Sequence, residues 1–345
     1  MSEIINQDEL RKCVSEWLAA GKRVAGPKQV TWNRVLYAAI ESADELLLDV
    51  TPGSPTTGPG CWGGNQHPVN AIKEFFFPKH QKLYGYEIRG NDVQLNEVAE
   101  PLLGQVIIGA RPCDAAALPI LDHVFNWDYR DERYNALRAA TTIVTIACTT
   151  HDDACFCTSV GLSPDAERGS DAVLVPFGDG SYEVRCVTDK GKALFAGQTK
   201  NSDKKATAHK GPKIKIDTAK VNAFVRDHFD DPFWKDHTLA CFGCGMCAAN
   251  CPTCHCFDIV DEGNIKGGYR ARNWDSCQYP NFTSHASGHN PRASQPDRQR
   301  QRVYHKFYIY PEKFGEVLCT GCGNCSRNCP AGLGILNVTT EISHA

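Results

Sequence analysis

The chain lacks any apolar run long enough to cross a bilayer. Its longest, GQVIIGA at 104–110 and TTIVTIAC at 141–148, fall well short of the roughly 20 residues a spanning helix needs, so any membrane association would run through a partner. Positive charge is not in excess: 37 Lys and Arg stand against 40 Asp and Glu, a net charge of -3. That balance excludes the broad basic field with which proteins hold nucleic acid irrespective of sequence. The opening MSEIINQDELRKC has neither the basic start nor the apolar core of an export signal, and the expected compartment is the cytoplasm. No G-x-G-x-x-G follows a strand-like run, so the sequence carries no dinucleotide-binding fingerprint. The glycine-rich PGSPTTGPGCWGGN at 52–65 opens no evident helix and reads as a loop rather than a phosphate cradle. Nor is there an obvious Ser/His/Asp constellation for hydrolysis.

Cysteine, by contrast, is abundant, with 18 in 345 residues. In a short secreted chain that count would suggest disulfides; in a long chain without an export signal it points to metal or redox chemistry. Metal-bound thiolates are deprotonated, so a loaded form is more acidic than the formal charge. With 42% hydrophobic and 22% charged residues the composition is that of a globular protein, and the length suits two domains.

Residues 1–196 alternate helix-like and strand-like patterns, as an α/β domain does. DELRKCVSEWLAA places Leu10, Cys13, Val14, Trp17 and Leu18 on one helical face, with an acidic first turn and Gly21 as a stop. ELLLDV and VIIGA read as short buried strands, DAAALPILDHVF as a helix after the ARPC turn, and TTIVTIAC as a strand running into TTHDDACFC. The Lys-rich segment 197–220 is poor in large apolar residues and suits a linker. VNAFVRDHFDDPFW then reads as a helix leading into a second domain, 221–345, organised by cysteine.

Two similar runs define that domain. Cys241-x2-Cys244-x2-Cys247-x3-Cys251-Pro252 and Cys319-x2-Cys322-x2-Cys325-x3-Cys329-Pro330 match the bacterial two-cluster ferredoxin pattern, whose fourth cysteine ligates the other cluster. Gly243, Gly245, Gly321 and Gly323 let each loop wrap closely, with backbone N–H groups toward the sulfides. The expected ligands are Cys241, Cys244, Cys247 and Cys329 for one 4Fe-4S cluster, and Cys319, Cys322, Cys325 and Cys251 for the other. Zinc is the alternative, but a zinc ribbon needs two cysteine pairs per ion, which a duplicated three-plus-one run does not supply. The fold class expected is α+β: an N-terminal α/β domain, then a two-cluster ferredoxin-like domain with a long insertion, 257–318, that covers the clusters or docks a partner.

Ten cysteines remain. Cys113, Cys148, Cys155 and Cys157 each sit in a loop after an apparent strand, so one edge of the fold can gather four thiols for a further cubane; buried, unligated thiols are the other reading. Cys254 and Cys256 in CPTCHC and Cys277 in WDSC exceed what two clusters need and stay unassigned between burial and an additional metal or redox site. Cys13, Cys61 and Cys186 are isolated and read as core residues.

CxxCGxCxxxCPTCxCFD, YRARNWDSC (269–277), GHNPR (288–292), RQRVYHKFYIY (300–310) and CTGCGNCSRNCP resemble the iron–sulfur beta subunit of cytoplasmic NiFe sulfhydrogenases, and the related iron–sulfur electron-relay component of anaerobic sulfite reductases. IKEFFFPKHQKLYGYEI, GARPCDAAALPILDHVF and CFCTSVGLSPDAERGSDAVLVPFGDG extend the resemblance through the first half in the same order, with departures at 197–220 and in the short tail after Cys329. The resemblance implies an electron-transfer subunit with no catalytic site of its own. It would pass single electrons through 4Fe-4S clusters, a third among them at Cys113, Cys148, Cys155 and Cys157. Implied partners are a flavin (FAD) subunit that handles NAD(P)H and a catalytic subunit of NiFe hydrogenase, sulfite reductase or heterodisulfide-reductase-linked type. A reading from another class is a metal-stabilised binding module in which clusters or zinc are structural.

Arg292, Arg298, Arg300, Arg302 and Lys306, interleaved with aromatics, read as a solvated or docking face rather than a nucleic-acid surface. Some of these, with Arg270 and Arg272, are expected near the clusters, where cations stabilise the reduced state and raise its potential. His255, His289 and His305 are expected to pack or hydrogen-bond rather than replace a thiolate.

Overall fold

The structure, a computed structural model, describes residues 2–32, 34–48, 67–98 and 104–344. The loop expected at 52–65, Cys61 included, lies outside the described residues. The first half is built on an eight-stranded mixed sheet. Its strands are β1 (Ser2–Asn6), β2 (Arg23–Thr31), β3 (Arg34–Ala39), β6 (Gln105–Ala110), β7 (Thr141–Ile146), β8 (Ala172–Pro176), β9 (Ser181–Cys186) and β10 (Lys200–Ser202), in the order β10-β1-β9-β8-β7-β6-β2-β3. The intervening β4 (His80–Arg89) and β5 (Asp92–Glu97) belong to a second, four-stranded sheet with β11 (Phe257–Asn264) and β12 (Gly267–Trp274).

In the large sheet β2, β6, β7 and β8 run parallel, and all six residues of β6 are buried, as a strand covered on both faces must be. On one face the helix Gln7–Ala19 packs Leu10, Cys13, Val14 and Trp17 against Val24, Ile108, Val144 and Leu174. Its start is fixed reciprocally: Glu9 N–H donates to the Asn6 side chain at 2.8 Å, and Asn6 N–H to the Glu9 carboxylate at 3.0 Å. On the other face Phe76, Phe77, Leu118, Leu121, Phe125 and Tyr134 close over Ile107 and Ile143. Parallel strands send their following loops to one edge. The loops after β6 and β7 carry Cys113, Cys148, Cys155 and Cys157 to that edge together.

Two expectations change. The described part of ELLLDV, residues 45–48, is not a strand: residues 43–45 make a short 3-10 turn and Leu46 forms a single bridge to Lys28. β6 pairs with β2 only at residues 23–25, and the segment meets the rest of β2 at one point, through the Lys28 bridge and the bond from Leu47 N–H to Pro27 O at 2.8 Å; Leu46 and Leu48 are buried by core contact. The Lys-rich segment is docked rather than hanging free. Residues 200–202 pair with β1, the Thr158 hydroxyl donates to Pro212 O at 2.8 Å and that of Ser159 to Ile214 O at 2.7 Å, and Ile216 is buried.

The hairpin β11–β12, from the segment between the two cysteine runs, adds to β4–β5 of the first half, with β12 antiparallel to β4. Arg272 on β12 fastens it. Its guanidinium, almost fully buried, is bound to Asp131 and donates to Gln81 Oε1 at 2.6 Å, 5.0 Å over the ring of Phe77. Asp131 also caps the helix Glu132–Ala140 by accepting from Tyr134 N–H at 2.9 Å. Among the described residues no helix is long and apolar enough to cross a membrane.

Arg272→Ala removes the cation bonded to the part-buried Asp131 carboxylate and should cost about 3 kcal/mol in anaerobic urea unfolding. Arg270→Ala, which breaks the exposed pair with Asp261, should cost less than about 1 kcal/mol. Equal effects would contradict the role given to Arg272.

Candidate metal centres

Cys241, Cys244, Cys247 and Cys329 line one cavity, with no carboxylate or imidazole on its wall. Gly243 and Gly245 take φ of 67° and 75°, turning the loop into the short helix Met246–Ala249; a side chain on Gly245 would meet the Tyr279 ring at 2.7 Å. Gln295 and Gln299, from the helix Gln295–Tyr304, donate through Nε2 to Cys241 Sγ at 3.2 and 3.1 Å, and Leu333 N–H donates to Cys329 Sγ at 3.3 Å. This set reaches the surface: Cys244 is exposed, next to Phe242 at 76% exposure.

The second run repeats the geometry. Gly321 and Gly323 have φ of 63° and 77° and lead into the helix Asn324–Arg327. Cys319, Cys322 and Cys325 share this loop, with N–H donors from Gly321 to Cys319 at 3.4 Å and from Ile335 to Cys325 at 3.3 Å. Cys251 arrives from the first run and feels Cys322 electrostatically. The Lys306 ammonium stands 3.4 Å from Cys251 Sγ, anchored on Leu318 O at 2.9 Å and Thr253 Oγ1 at 3.1 Å. Burial works against the charge on Lys306, but the thiols Cys251, Cys254 and Cys319 outweigh it and hold the ammonium protonated above its ordinary range. A hydrogen bond from Cys254, aided by Lys306 and Lys73, pulls Cys251 well below the usual thiol value.

The first half brings its four thiols together. Cys113 and Cys148 act on each other, as do Cys148 and both Cys155 and Cys157. Burial pushes Cys113 well up, Cys148 to about 12 and Cys157 to about 11, while Arg111 opposes all three shifts. Arg327, paired with Asp152 at 2.6 and 2.7 Å, donates to Cys155 Sγ at 2.9 Å. This site abuts the second run: Phe156 N–H donates to Gly321 O at 2.9 Å, and a side chain on Gly321 would strike Cys157 N at 2.5 Å. Cys322 acts electrostatically on Cys113, and Cys325 packs in the same apolar cluster as Cys247, so the second set neighbours both others.

Two arginines lie between the sets with N–H groups that have no partner among the described residues. Arg111 is held by Asp114 at 2.9 Å and Asn324 Oδ1 at 3.2 Å, yet its Nη1 is buried and unmatched. Arg302, lodged among Cys247, Cys325, Cys254 and Cys277, leaves Nε and Nη2 unmatched. Both imidazole nitrogens of buried His67, near Arg111 and Arg327, are likewise unmatched. Buried donors without acceptors cost about 1–3 kcal/mol each, so a missing acceptor is implied. Inorganic sulfide of a cubane fits, as do the soft thiol walls. Among the described residues no three His, Cys, Asp or Glu side chains are gathered closely enough for a single metal ion.

Of the cations expected near the thiols, Arg302 and Lys306 are there. Arg270 and Arg272 are not: carboxylates on Asp261 and Asp131 claim them. Arg298 is spent on the carbonyls of Arg292 and Ala293, and Arg300 lies over Phe229 at 3.8 Å. His255 and His305 stack edge to face at 5.4 Å, and burial lowers them to about 4 and about 3; His289 packs on His285. Cys13 sits in the main core with Cys186 against it. Sequence reading missed Arg111, Arg327, Lys73, His67 and Asn324. Arg111 and Arg327 adjoin cysteines in ARPC and CSRNC, and that adjacency was the available signal. Cys256 and Cys277 shift in opposite directions: the Cys256 thiol, as a hydrogen-bond donor, draws Cys277 down to about 6 and is itself pushed well up.

Residues 240–333 match the family model of the 4Fe-4S dicluster domain. Over 339 residues, covering 93% of this chain and 92% of the relative, the sequence is 30% identical to the sulfhydrogenase 2 subunit beta of Pyrococcus furiosus. No solved structure matches.

Gly321→Ala adds a backbone clash to the roughly 1–2 kcal/mol that any left-handed alanine costs, whereas Gly288→Ala, at φ 83° in open space, pays only the latter. Anaerobic thermal melts should place Gly321→Ala well below Gly288→Ala, and equal melting temperatures would contradict the contact between the two loops.

Proposed function

The chain belongs to the sulfhydrogenase beta-subunit family, an iron–sulfur electron-transfer family, and on that premise we propose that it relays single electrons along three 4Fe-4S clusters in line. Cys241, Cys244, Cys247 and Cys329 hold the first; Cys319, Cys322, Cys325 and Cys251 the second; Cys113, Cys148, Cys155 and Cys157 the third. The observation that supports the linear order is the position of the second set, whose Gly321 loop lies against Phe156 and Cys157 on one side and whose Cys325 shares an apolar cluster with Cys247 on the other. Bound cubanes supply reversible one-electron chemistry. The residues around them do the rest: Arg111, Arg302 and Lys306 offset the added negative charge on reduction, and the apolar packing keeps water away.

The exposed end at Cys244 and Phe242 is where a partner's redox centre would approach the first set. The relative is named as a sulfhydrogenase subunit, which supports placing a hydrogenase-type catalytic partner at one end of the line. A flavin subunit that handles NAD(P)H at the other end completes the proposed route.

Anaerobically reconstituted chain should contain about twelve irons, four per cubane, and Cys155→Ser with Cys157→Ser should lower that to about eight. A wild-type content of about eight, unchanged in the double variant, would remove the third cluster from the scheme.

A further inference from the structure

The Lys-rich segment has no task in the relay as drawn. From 204 to 216 it carries five lysines, at 204, 205, 210, 213 and 215, and no aspartate or glutamate, in a chain whose net charge is -3. It lies as a strap along the loops of the third set. Ala206 packs on Ala147, Val173 and Val175, just before Cys148. A ring nitrogen of His209 meets one of His151 at 2.7 Å, and a side chain on Gly211 would meet Pro164 and Thr158 at 3.0 Å. The hydroxyl of Thr158, the residue after Cys157, donates to Pro212 O at 2.8 Å, and that of Ser159 to Ile214 O at 2.7 Å. The strap's backbone therefore rests directly on the turn that follows Cys157.

The strap has two sides. Ile216 is buried with Phe156 and Ile214 packs on the same cluster, whereas Lys213 and Lys215, alternating with them, are exposed, as in an extended chain with one face covered. Lys204, Lys205 and Lys210 are exposed as well. Among the described residues the lysines in ion pairs are Lys12, Lys28, Lys79, Lys192 and Lys200, none of them on the strap. Of the nearby carboxylates, Asp152 is paired with Arg327, Asp165 with Arg185, and Asp217 caps the helix Thr218–Asp227. Asp153 and Asp203 are exposed and Asp179 lies toward Lys204, so the excess positive charge is greatest at Lys210, Lys213 and Lys215.

The two flanks of the line differ in chemistry. At Cys244 the surface shows Leu239, Phe242 and Met246, while the exposed large hydrophobic residues nearest the strap in sequence, Val187 and Phe229, lie beyond both its ends. Permanent interfaces are the more apolar ones; transient redox encounters are small, polar and steered by charge. The strap's cations are all lysine, with no arginine or aromatic residue between 204 and 216 to grip or stack on a nucleic acid. On the relay reading, which supplies the reduced centre beneath the strap, we propose that its lysines dock a diffusible acidic one-electron carrier protein. The third set then loses one electron to the carrier, or gains one from it, with no proton or bond exchanged. The carrier is a further route into the line, in addition to the resident subunits.

The test uses iron-loaded full-length chain, reduced with dithionite, freed of excess reductant and mixed anaerobically with ferric cytochrome b5, an acidic acceptor, or ferric cytochrome c, a basic one. The second-order rate with cytochrome b5 should fall about ten-fold between about 20 and about 200 mM salt. The combined variant Lys210→Gln, Lys213→Gln, Lys215→Gln should slow cytochrome b5 about ten-fold at low salt, flatten that salt dependence and leave cytochrome c no slower. An equal change of charge elsewhere, Lys12→Gln, Lys22→Gln, Lys266→Gln, should leave both rates close to wild type. Carbodiimide should cross-link cytochrome b5 to the strap lysines, mapped by mass spectrometry. Iron content and the extent of reduction by dithionite should be the same in all three proteins; a chain that takes up no electrons from dithionite fails together with the relay. A chain that does take them up overturns the docking proposal alone if both variants slow cytochrome b5 equally, if its rate ignores salt, or if the cross-links fall elsewhere. So does single-stranded DNA that binds the strap in place of cytochrome b5, or a native complex in which a resident subunit shields these lysines from acetylation.

Discussion

Buried positive charge governs this molecule. Arg111, Arg302 and Lys306 are each at most 3% exposed; Arg302 and Lys306 are surrounded chiefly by thiols, and Arg111, paired with Asp114, also lies beside Cys113 and Cys322. A cation taken from water into a protein interior costs several kcal/mol unless compensated. Neutral thiols compensate poorly; thiolates and sulfides of a bound cluster compensate well. Folding and metal loading are therefore coupled, since the cations favour the deprotonated, iron-bearing state and the buried thiols resist ionising without it.

The scaffold exists to hold these charges in register. Parallel strands deliver the loops after β6 and β7 to one edge, and the glycines of CTGCG let the DACFC loop lie directly against them. Asn324 joins the pieces: fully buried, it accepts from Arg111 through Oδ1 and donates through Nδ2 to Asn250 O at 3.1 Å, next to Cys251. The segment between the cysteine runs is a working part of the first half. Its hairpin extends the small sheet, and its helix supplies Gln295, Gln299, Arg302 and, one turn on, Lys306 to the thiols.

Much of this was legible in the sequence because cysteine spacing is a geometric statement. A three-plus-one run with glycines after the first two cysteines implies loops in which those glycines take positive φ, and the φ values at 243, 245, 321 and 323 follow. The helix Gln7–Ala19 and strand β6 were equally plain from periodicity and apolar run. What sequence could not convey was pairing between distant segments. Nothing local in YRARNW says that its strand will add to His80–Arg89, or that Arg272 will choose Asp131 over a thiol. ELLLDV misled because an apolar run reports burial, which Leu46 and Leu48 have, and not the continuous ladder that makes a strand.

The central claim is that the three thiol sets carry paramagnetic centres near enough to form one line with the second set in the middle. Electron paramagnetic resonance of the fully reduced, anaerobic chain tests it most directly. The account predicts a spectrum broadened and split by spin coupling, which simplifies to isolated signals when Cys322→Ser disables the middle centre. A wild-type spectrum that is already a plain sum of uncoupled signals would contradict it.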